Sequence, residues 1–134
     1  VCLDLSHIEL KSQISVEQLE AAEKAAGVEI KRRDTVLLYM AHYDRTFGTP
    51  AFMTDFPGLT KESAEWLGAK GIVMFGVEAA SPGRPGKDMV FTHMEGRANL
   101  DQVVGKGRFR FIGFPLKIRG GTGSPIRPVA VLDE

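Results

Sequence analysis

The sequence predicts an α/β fold, a mixed sheet with two main helices, in one domain that spans residues 1–134. Two observations support this class. Short apolar and β-branched segments alternate with longer segments that carry helix-capping residues at both ends. One such helix lies between the apolar segments 35–40 and 72–78, which is the arrangement of a β-α-β crossover. A chain of 134 residues can bury one core, so we expect a single domain.

The first part of the chain contains three predicted elements. "VCLDLS" alternates apolar and polar side chains, which is typical of a half-buried strand. In "SVEQLEAAEKAAG", Ser15 can accept a hydrogen bond from the N–H of Gln18 while Gln18 reaches back, and Gly27 can end the helix. We therefore predict a helix over 16–26. The segment "TVLLYM" (35–40) has the composition of a buried strand.

Residues 41–58, "AHYDRTFGTPAFMTDFPG", are predicted to form a long loop because glycine and proline interrupt them. Loops of this length inside a compact domain are usually functional or covered by a partner. The loop begins where a buried strand ends, and α/β proteins bind ligands at such positions. His42, Tyr43 and Arg45 are therefore candidate substrate-binding residues, and a purely structural role for them stays equally open.

The second half of the chain is predicted to contain one more helix and several strands. "LTKESAEWLGAKG" (59–71) has Thr60 at the N-cap and directs Trp66 and Leu67 inward. The apolar run "IVMFGVE" (72–78) is too short for another helix and is predicted to be a central strand. The remaining predictions are a loop over 80–88, a short strand in "MVFTHME" (89–95), strands in "RFRFIGFPLKI" (108–118) and "IRPVAVL" (126–132), and a hairpin turn at "GGTGSP" (120–125).

Composition argues against several classes of partner and location. Seventeen basic residues balance seventeen acidic ones, so no net field attracts nucleic acid or an anionic membrane. No apolar run reaches the roughly 20 residues of a membrane span. The single cysteine, Cys2, excludes an internal disulfide framework and a cysteine-based zinc site, and it favours a reducing compartment, so we expect a cytoplasmic protein.

Possible metal ligands are few. His7, His42 and His93 lie far apart and form no paired-histidine motif. A lone histidine such as His93 is more often a strand-end or surface residue than a ligand. Glu95 follows an apolar run and precedes a glycine, so we expect its carboxylate to be desolvated and to need a cation or hydrogen-bond donors. Structural and functional roles for Glu95 both stay open.

Three segments carry a resemblance to a known family. They are "PGLTKESAEWL", the stretch "EGRANL" from Glu95 to Leu100, and "FPLKIRGGTGSPIRPVA". With them, nearly the whole chain resembles the C-terminal half of the cyclase family, which includes kynurenine formamidase, an arylformamidase of tryptophan catabolism, and isatin hydrolase. The resemblance implies a swivelling β/β/α fold and metal-dependent hydrolysis of a small-molecule amide, formamide or lactone.

The resemblance also implies a divalent metal, zinc or manganese, with Glu95 as one ligand. A bound divalent ion supplies hydroxide near neutral pH and polarises the carbonyl. His93 would not be a ligand; it would be a neighbour on the same strand that faces the same side, and thus a candidate substrate contact. The resemblance does not identify the catalytic residues.

The sequence departs from the family pattern in two places. The family's His-x-Gly-Thr-His-x-Asp-x-Pro metal motif is absent from these residues. The segment "SPGRPGKDMVFT" (81–92) also lacks the further histidine ligand that family members carry upstream of the glutamate. One hypothesis is that the chain, which starts with Val1, is part of a hydrolase whose N-terminal half is missing or supplied by a companion segment. A second is a non-catalytic scaffold or oligomerising remnant that has lost the site and binds no metal. A third is a small-ligand binding domain that uses "HYDRTFG". Exposed apolar surface on half a fold also predicts a homo-oligomer, a dimer or tetramer.

Overall fold

A computed structural model of the chain describes residues 1–83 and 93–132. The strands are β1 (Cys2–Asp4), β2 (Gln13–Ile14), β3 (Thr35–Tyr39), β4 (Gly58–Leu59), β5 (Met74–Val77), β6 (His93–Met94), β7 (Arg110–Ile112) and β8 (Val129–Val131). The helices are α1 (Val16–Ala26), α2 (His42–Thr46), α3 (Ala51–Thr54) and α4 (Lys61–Ala69), and a 3₁₀ turn covers Leu100–Gln102. In the described part of the chain, no helix is long and apolar enough to span a membrane.

The main sheet has four strands in the order β1-β3-β5-β6, and all its pairs are parallel. The predicted crossover between the strands at 35–40 and 72–78 is confirmed, and β5 is an interior strand as expected. The α/β class with two main helices is also confirmed, since α1 and α4 are much longer than α2 and α3. The main sheet is parallel and not the mixed sheet that the sequence predicts. Antiparallel pairing occurs in a separate two-stranded sheet, between β7 and β8.

The two long helices have the predicted ends. In α1, the Ser15 hydroxyl accepts from the N–H of Gln18 at 3.4 Å, the Gln18 side chain accepts from the N–H of Ser15 at 2.9 Å, and Gly27 is left-handed with φ 64°. In α4, the Thr60 hydroxyl accepts from the N–H of Ser63 at 3.1 Å. Leu67 of α4 is fully buried, and Trp66 packs against the same core.

Apolar side chains cover both faces of the main sheet. The face toward α1 and α4 carries Leu3, Leu38 and Phe75, while the opposite face carries a smaller cluster with Leu37 and Met94. The prediction of a half-buried first strand is confirmed only in part, because Asp4 is exposed as the alternation predicts, whereas Cys2 on the same face is buried like Leu3 on the other. A parallel sheet that is covered on both sides explains why its strands read as continuous apolar runs.

The predicted loop over 41–58 is partly helical, which corrects the sequence prediction. It contains α2 and α3, and its aromatic side chains pack on one another. The rings of Tyr43 and Phe47 stack with 4.3 Å between centroids, and those of His42 and Phe52 stack at 5.3 Å. Aromatic pairs at this separation stabilise turns that glycine and proline would otherwise leave irregular.

The C-terminal third has less strand than predicted. Only three residues of each predicted strand pair, with Phe111 opposite Ala130, and residues 113–128 between them are irregular. Prolines at 115, 125 and 128 explain this, because they cannot donate to a ladder. Most of the predicted loop 80–88, and the predicted strand 89–95 up to residue 92, lie outside the described residues.

Candidate functional site

Polar side chains gather at the carboxyl end of the main sheet. The strands β3, β5 and β6 lie side by side in the sheet, and all three end there. Glu78 follows β5, the segment 41–45 follows β3, and the segment 95–97 follows β6. Ligand sites of open α/β sheets form at this end, since only there do the connections of several strands meet.

Glu78 is a buried carboxylate, with 1% of its surface exposed. Its Oε2 accepts from the main-chain N–H of Met40 and, at 3.3 Å, from that of His42, while Oε1 accepts from the N–H of Tyr43 at 3.4 Å. Burial raises the pKa of Glu78 although these donors oppose the rise. The carboxylate thus holds the turn from β3 into α2, in which Ala41 is left-handed with φ 50°.

The three candidate substrate contacts of this turn lie in different environments. His42 is fully buried, its Nε2 is 3.0 Å from the carbonyl oxygen of Phe52, and burial lowers its pKa. Arg45 donates through Nη2 to the carbonyl oxygens of Met40 at 2.8 Å and Ile8 at 3.0 Å. Tyr43 is half-buried against other rings. His42 and Arg45 thus have structural partners, and the prediction that the three residues contact a substrate stays a prediction.

His93 and Glu95 lie together on the end of β6. The Nε2 of His93 is 3.2 Å from Oε1 of Glu95, and both side chains face the same side, as strand alternation predicts. The side chain of Glu95 is 45% exposed, so the expectation that it is desolvated is wrong. The chain leaves the sheet directly after β6, and this takes Glu95 out of the core. The buried carboxylate at this end of the sheet is Glu78.

Arg97 folds back over the turn that follows β6. Its Nε and Nη2 donate to the carbonyl oxygen of Glu95 at 3.2 and 3.1 Å, and its own N–H donates to Val77 at 3.0 Å. The arginine stem crosses β5 at Gly76, where an added Cβ would lie 3.6 Å from the Cγ of Arg97. Nη1 is buried and has no hydrogen-bond partner among the described residues.

The side chains at this end of the sheet include atom types that bind divalent metals, but too few of them to form a complete site. Glu95 offers a carboxylate oxygen and His93 an imidazole nitrogen, the ligand types that zinc and manganese accept. Within residues 1–83 and 93–132, no group of three or more histidine, cysteine, aspartate or glutamate side chains could hold a metal ion. A catalytic zinc site uses three protein ligands. The described residues therefore supply at most part of such a site.

The fold is that of an α/β protein, and its polar side chains gather where parallel strands end, the position at which sheets of this class commonly bind ligands. A family model described as "Putative cyclase" matches residues 1–84. Because this match covers more than half of the chain, the chain belongs to the cyclase family. The resemblance seen in the sequence is confirmed.

Solved structures of similar fold include two isatin hydrolases. One, bound to the product analogue thioisatinate, gives a TM-score of 0.81 at 25% identity over 98% of this chain. The other, isatin hydrolase A from Ralstonia solanacearum, gives 0.82 at 27% identity over 99% of this chain. A potential metal-dependent hydrolase with cyclase activity gives 0.75 at 22% identity over 99% of this chain and 64% of its own, which shows a common fold alone. No curated protein matches the sequence.

The chain spans 59% of the length of each of these two isatin hydrolases. The similarity thus includes nearly all of this chain but only a little over half of each isatin hydrolase.

Sequence reasoning missed Glu78 and Arg97. Glu78 ends the apolar run "IVMFGVE", so the desolvation argument that was applied to Glu95 holds better for Glu78, which immediately follows an interior strand. Arg97 gave no signal, because its burial depends on Gly76 of a different strand.

Proposed function

We propose that this chain is part of a metal-dependent hydrolase that acts on the amide, formamide or lactone carbonyl of a small molecule. Membership of the cyclase family supports the proposal most, together with the likeness to isatin hydrolases over nearly the whole chain. Isatin is a cyclic amide, so its hydrolysis opens a C–N bond and gives a carboxylate. A kynurenine formamidase-like reaction on an open-chain formamide, with a role in tryptophan catabolism, is the variant of this proposal that the sequence resemblance favours.

We place the metal at the end of β6, with Glu95 as a ligand. The exposed carboxylate of Glu95 supports this placement, because it can reach a metal without leaving a buried position. When bound, zinc or manganese would supply a hydroxide near neutral pH and polarise the carbonyl. The remaining ligands would come from outside the described residues, from a companion segment or from a second subunit.

His93 has a distinct part in this proposal. Its ring lies beside Phe75, with 5.9 Å between centroids, and its Nε2 faces the Glu95 carboxylate. A histidine in this place orients the carboxylate and offers a polar contact to a substrate. Tyr43, Arg45 and His42 are the further substrate contacts that we propose, on the β3 side of the same sheet end.

The proposal is tested by hydrolysis of isatin and of N-formylkynurenine in the presence of zinc or manganese. We expect wild-type chain, supplied with its companion segment where one is required, to hydrolyse one of them, and Glu95→Gln to lose at least about a hundredfold in kcat/KM. Glu20→Gln, which removes an exposed carboxylate of α1, is the matched control and should keep full activity. Equal activity of Glu95→Gln and wild type would reject the placement of the metal.

A second candidate function is a non-catalytic scaffold or oligomerising remnant of the family. The finding that favours it is the lack of three grouped metal-ligating side chains among the described residues. It predicts that neither substrate is hydrolysed under any metal supply, and that zinc and manganese do not change the unfolding temperature.

We propose two further properties that follow from the same family. The chain would form a homo-oligomer, a dimer or tetramer, or pair with a companion segment, because large apolar side chains between 114 and 132 are exposed. A cytoplasmic location is supported by Cys2, which is a free, buried thiol.

A further inference from the structure

His42 is a fully enclosed histidine between α2 and α3. Its ring stacks on Phe52, with 5.3 Å between centroids, and meets Phe56 edge-on at 6.1 Å. Nε2 donates to the carbonyl oxygen of Phe52 at 3.0 Å. A carbonyl oxygen can only accept, so Nε2 carries the proton of the neutral ring. The ring thus joins the first residue of α2 to α3.

The polar surroundings of the ring suit its neutral form. Besides the Phe52 carbonyl, the ring meets the hydroxyl of Thr46, which donates to the carbonyl oxygen of His42 at 2.7 Å and lies 3.4 Å from Nδ1. Both oxygens are uncharged, and none of the ion pairs among the described residues includes the ring. A buried cation without a counter-charge is costly. Protonation of His42 therefore works against the enclosed position of the ring.

Three elements bring charged groups near His42. Burial lowers the pKa of His42, and Arg45 of α2 adds to this effect, while the bond to the Phe52 carbonyl and the charge of Asp55 after α3 oppose it. Asp55 is itself paired with Lys11 at 3.1 Å. Glu78, after β5, accepts from the main-chain N–H of His42 at 3.3 Å and leaves the ring without an ion pair. The pKa of His42 is thus lower than its ordinary value of 6.5.

We propose that the α2–α3 segment (42–55) is a pH-sensitive switch at the carboxyl end of the main sheet, which opens when His42 becomes protonated. The charged ring regains its hydration only by leaving the cluster of Phe52 and Phe56. Histidine suits such a switch because its charge changes between about pH 5 and pH 8. With five residues in α2 and four in α3, the segment can open locally while the sheet stays folded.

This switch would regulate the strand-end site. α2 carries Tyr43 and Arg45, so opening of the segment would displace both of these proposed substrate contacts. In the closed segment the enclosed ring of His42 cannot meet a substrate, and the substrate contact that we propose for it would need the open form. The consequence for hydrolysis rests on the proposed function, whereas the pH-dependent opening does not.

The lowered pKa fixes the direction of the pH dependence. The neutral ring stabilises the closed segment fully above 6.5, the ordinary pKa of an unfolded histidine, and this stabilisation is lost as the pH falls toward the folded pKa. In that interval, the equilibrium constant for opening should rise by up to about tenfold for each pH unit.

Hydrogen exchange of the ¹⁵N-labelled chain between about pH 7.5 and about pH 5 tests the proposal, with rates corrected for the intrinsic pH dependence of exchange. The amides of Arg45, Phe47 and Asp55 report on the segment, since each donates to a carbonyl oxygen within it or at its start. We expect their protection to fall at least about tenfold relative to the same amides of His42→Gln. The amide of Leu19 in α1 should give the same protection in both proteins at each pH.

His42→Gln keeps an N–H donor for the Phe52 carbonyl and cannot become charged. Glu78 also titrates as the pH falls, and it is present in both proteins, so the comparison isolates the contribution of His42. His7→Gln is the matched control, because His7 is exposed, and it should show the same fall in protection as wild type.

The proposal is overturned if the protection of wild type relative to His42→Gln does not change with pH. Should His42→Gln fail to fold, an NMR titration of the wild-type imidazoles still decides. A His42 ring that titrates below 6.5, together with the loss of protection at 42–55, supports the switch, and a ring that titrates at or above this value overturns it. A confirmed switch in a chain that hydrolyses neither substrate would leave the opening standing and reject the hydrolase function.

Discussion

At the residue scale, the carboxyl end of the sheet contains two glutamates with opposite environments. Glu78 is enclosed and accepts three main-chain N–H groups, whereas the side chain of Glu95 is 45% exposed and contacts His93. A buried carboxylate with fixed donors stabilises a turn, while an exposed one can meet a ligand. This difference is why we assign the metal to Glu95 and a structural role to Glu78.

Glu78→Gln tests the structural role. The amide would present N–H groups to main-chain donors, and we expect a loss of about 1–3 kcal/mol in the free energy of unfolding. Because the folded pKa of Glu78 is raised above 4.5, ionisation is harder in the folded than in the unfolded chain. The contribution of Glu78 to stability is therefore complete below this value and declines as the pH rises through the folded pKa. Denaturant unfolding of both proteins between about pH 4 and pH 7 measures the difference.

The difference in the free energy of unfolding between wild type and Glu78→Gln should thus become smaller as the pH rises. If this difference grows with pH instead, the hydrogen bonds from the three N–H groups stabilise the charged carboxylate by more than burial destabilises it. Glu20→Gln, at an exposed position of α1, controls for the loss of a carboxylate in general.

At the element scale, side chains from the strands on either side pack over β5 because β5 carries Gly76. A Cβ at this position would lie 2.9 Å from Cδ2 of Leu37 and 3.1 Å from Cε of Met94. Contacts this short cannot be kept, so the neighbouring side chains would have to move inside a packed cluster. Gly76 therefore leaves the space over β5 that the side chains of Leu37, Met94 and Arg97 occupy.

Gly76→Ala should lower the free energy of unfolding by about 1–3 kcal/mol through overpacking. The control is Gly123→Ala, since an added Cβ there meets nothing within 4 Å and its φ is not in the left-handed region. Chemical denaturation of both variants measures the effect. A Gly76→Ala protein as stable as wild type would show that the β5–β6 packing is looser than the structure indicates.

The elements also show how far the sequence could predict the fold. α1 and α4 were predictable because their caps, Ser15 with Gln18 and Thr60 with Ser63, are local signals, and β5 was predictable from a continuous apolar run. The helices within 41–58 were not, since rings brought together by the fold stabilise them. The burial of Glu78 and the orphaned nitrogen of Arg97 likewise depend on residues of other strands, which no local pattern records.

At the scale of the whole molecule, the C-terminal third presents an apolar strip to solvent. Phe114 is 81% exposed, Leu116 62% and Ile118 51%, on alternate positions of an irregular segment. Contiguous exposed apolar surface of this kind is usual at interfaces and rare elsewhere. The isatin hydrolases are longer than this chain, which covers 59% of each of them.

We expect the isolated chain to form a dimer or tetramer through this strip. Light scattering coupled to size-exclusion chromatography should give a mass above that of one chain, and Phe114→Ser with Leu116→Ser should lower it. Met53→Ser is the control, because Met53 is 61% exposed on α3 and lies outside the strip. A monomeric wild type, or an oligomer that the double variant does not disturb, would contradict the expectation.

The central claim is that the end of β6 contributes Glu95 to a divalent metal site. Equilibrium dialysis of the purified chain, supplied with its companion segment, against zinc and against manganese, followed by elemental analysis, tests it most directly. We expect wild type to retain metal in a fixed ratio to chain, Glu95→Gln to retain at least about tenfold less, and Glu20→Gln to match wild type. Equal metal in wild type and Glu95→Gln, or none in wild type when the companion segment is supplied, would contradict the claim.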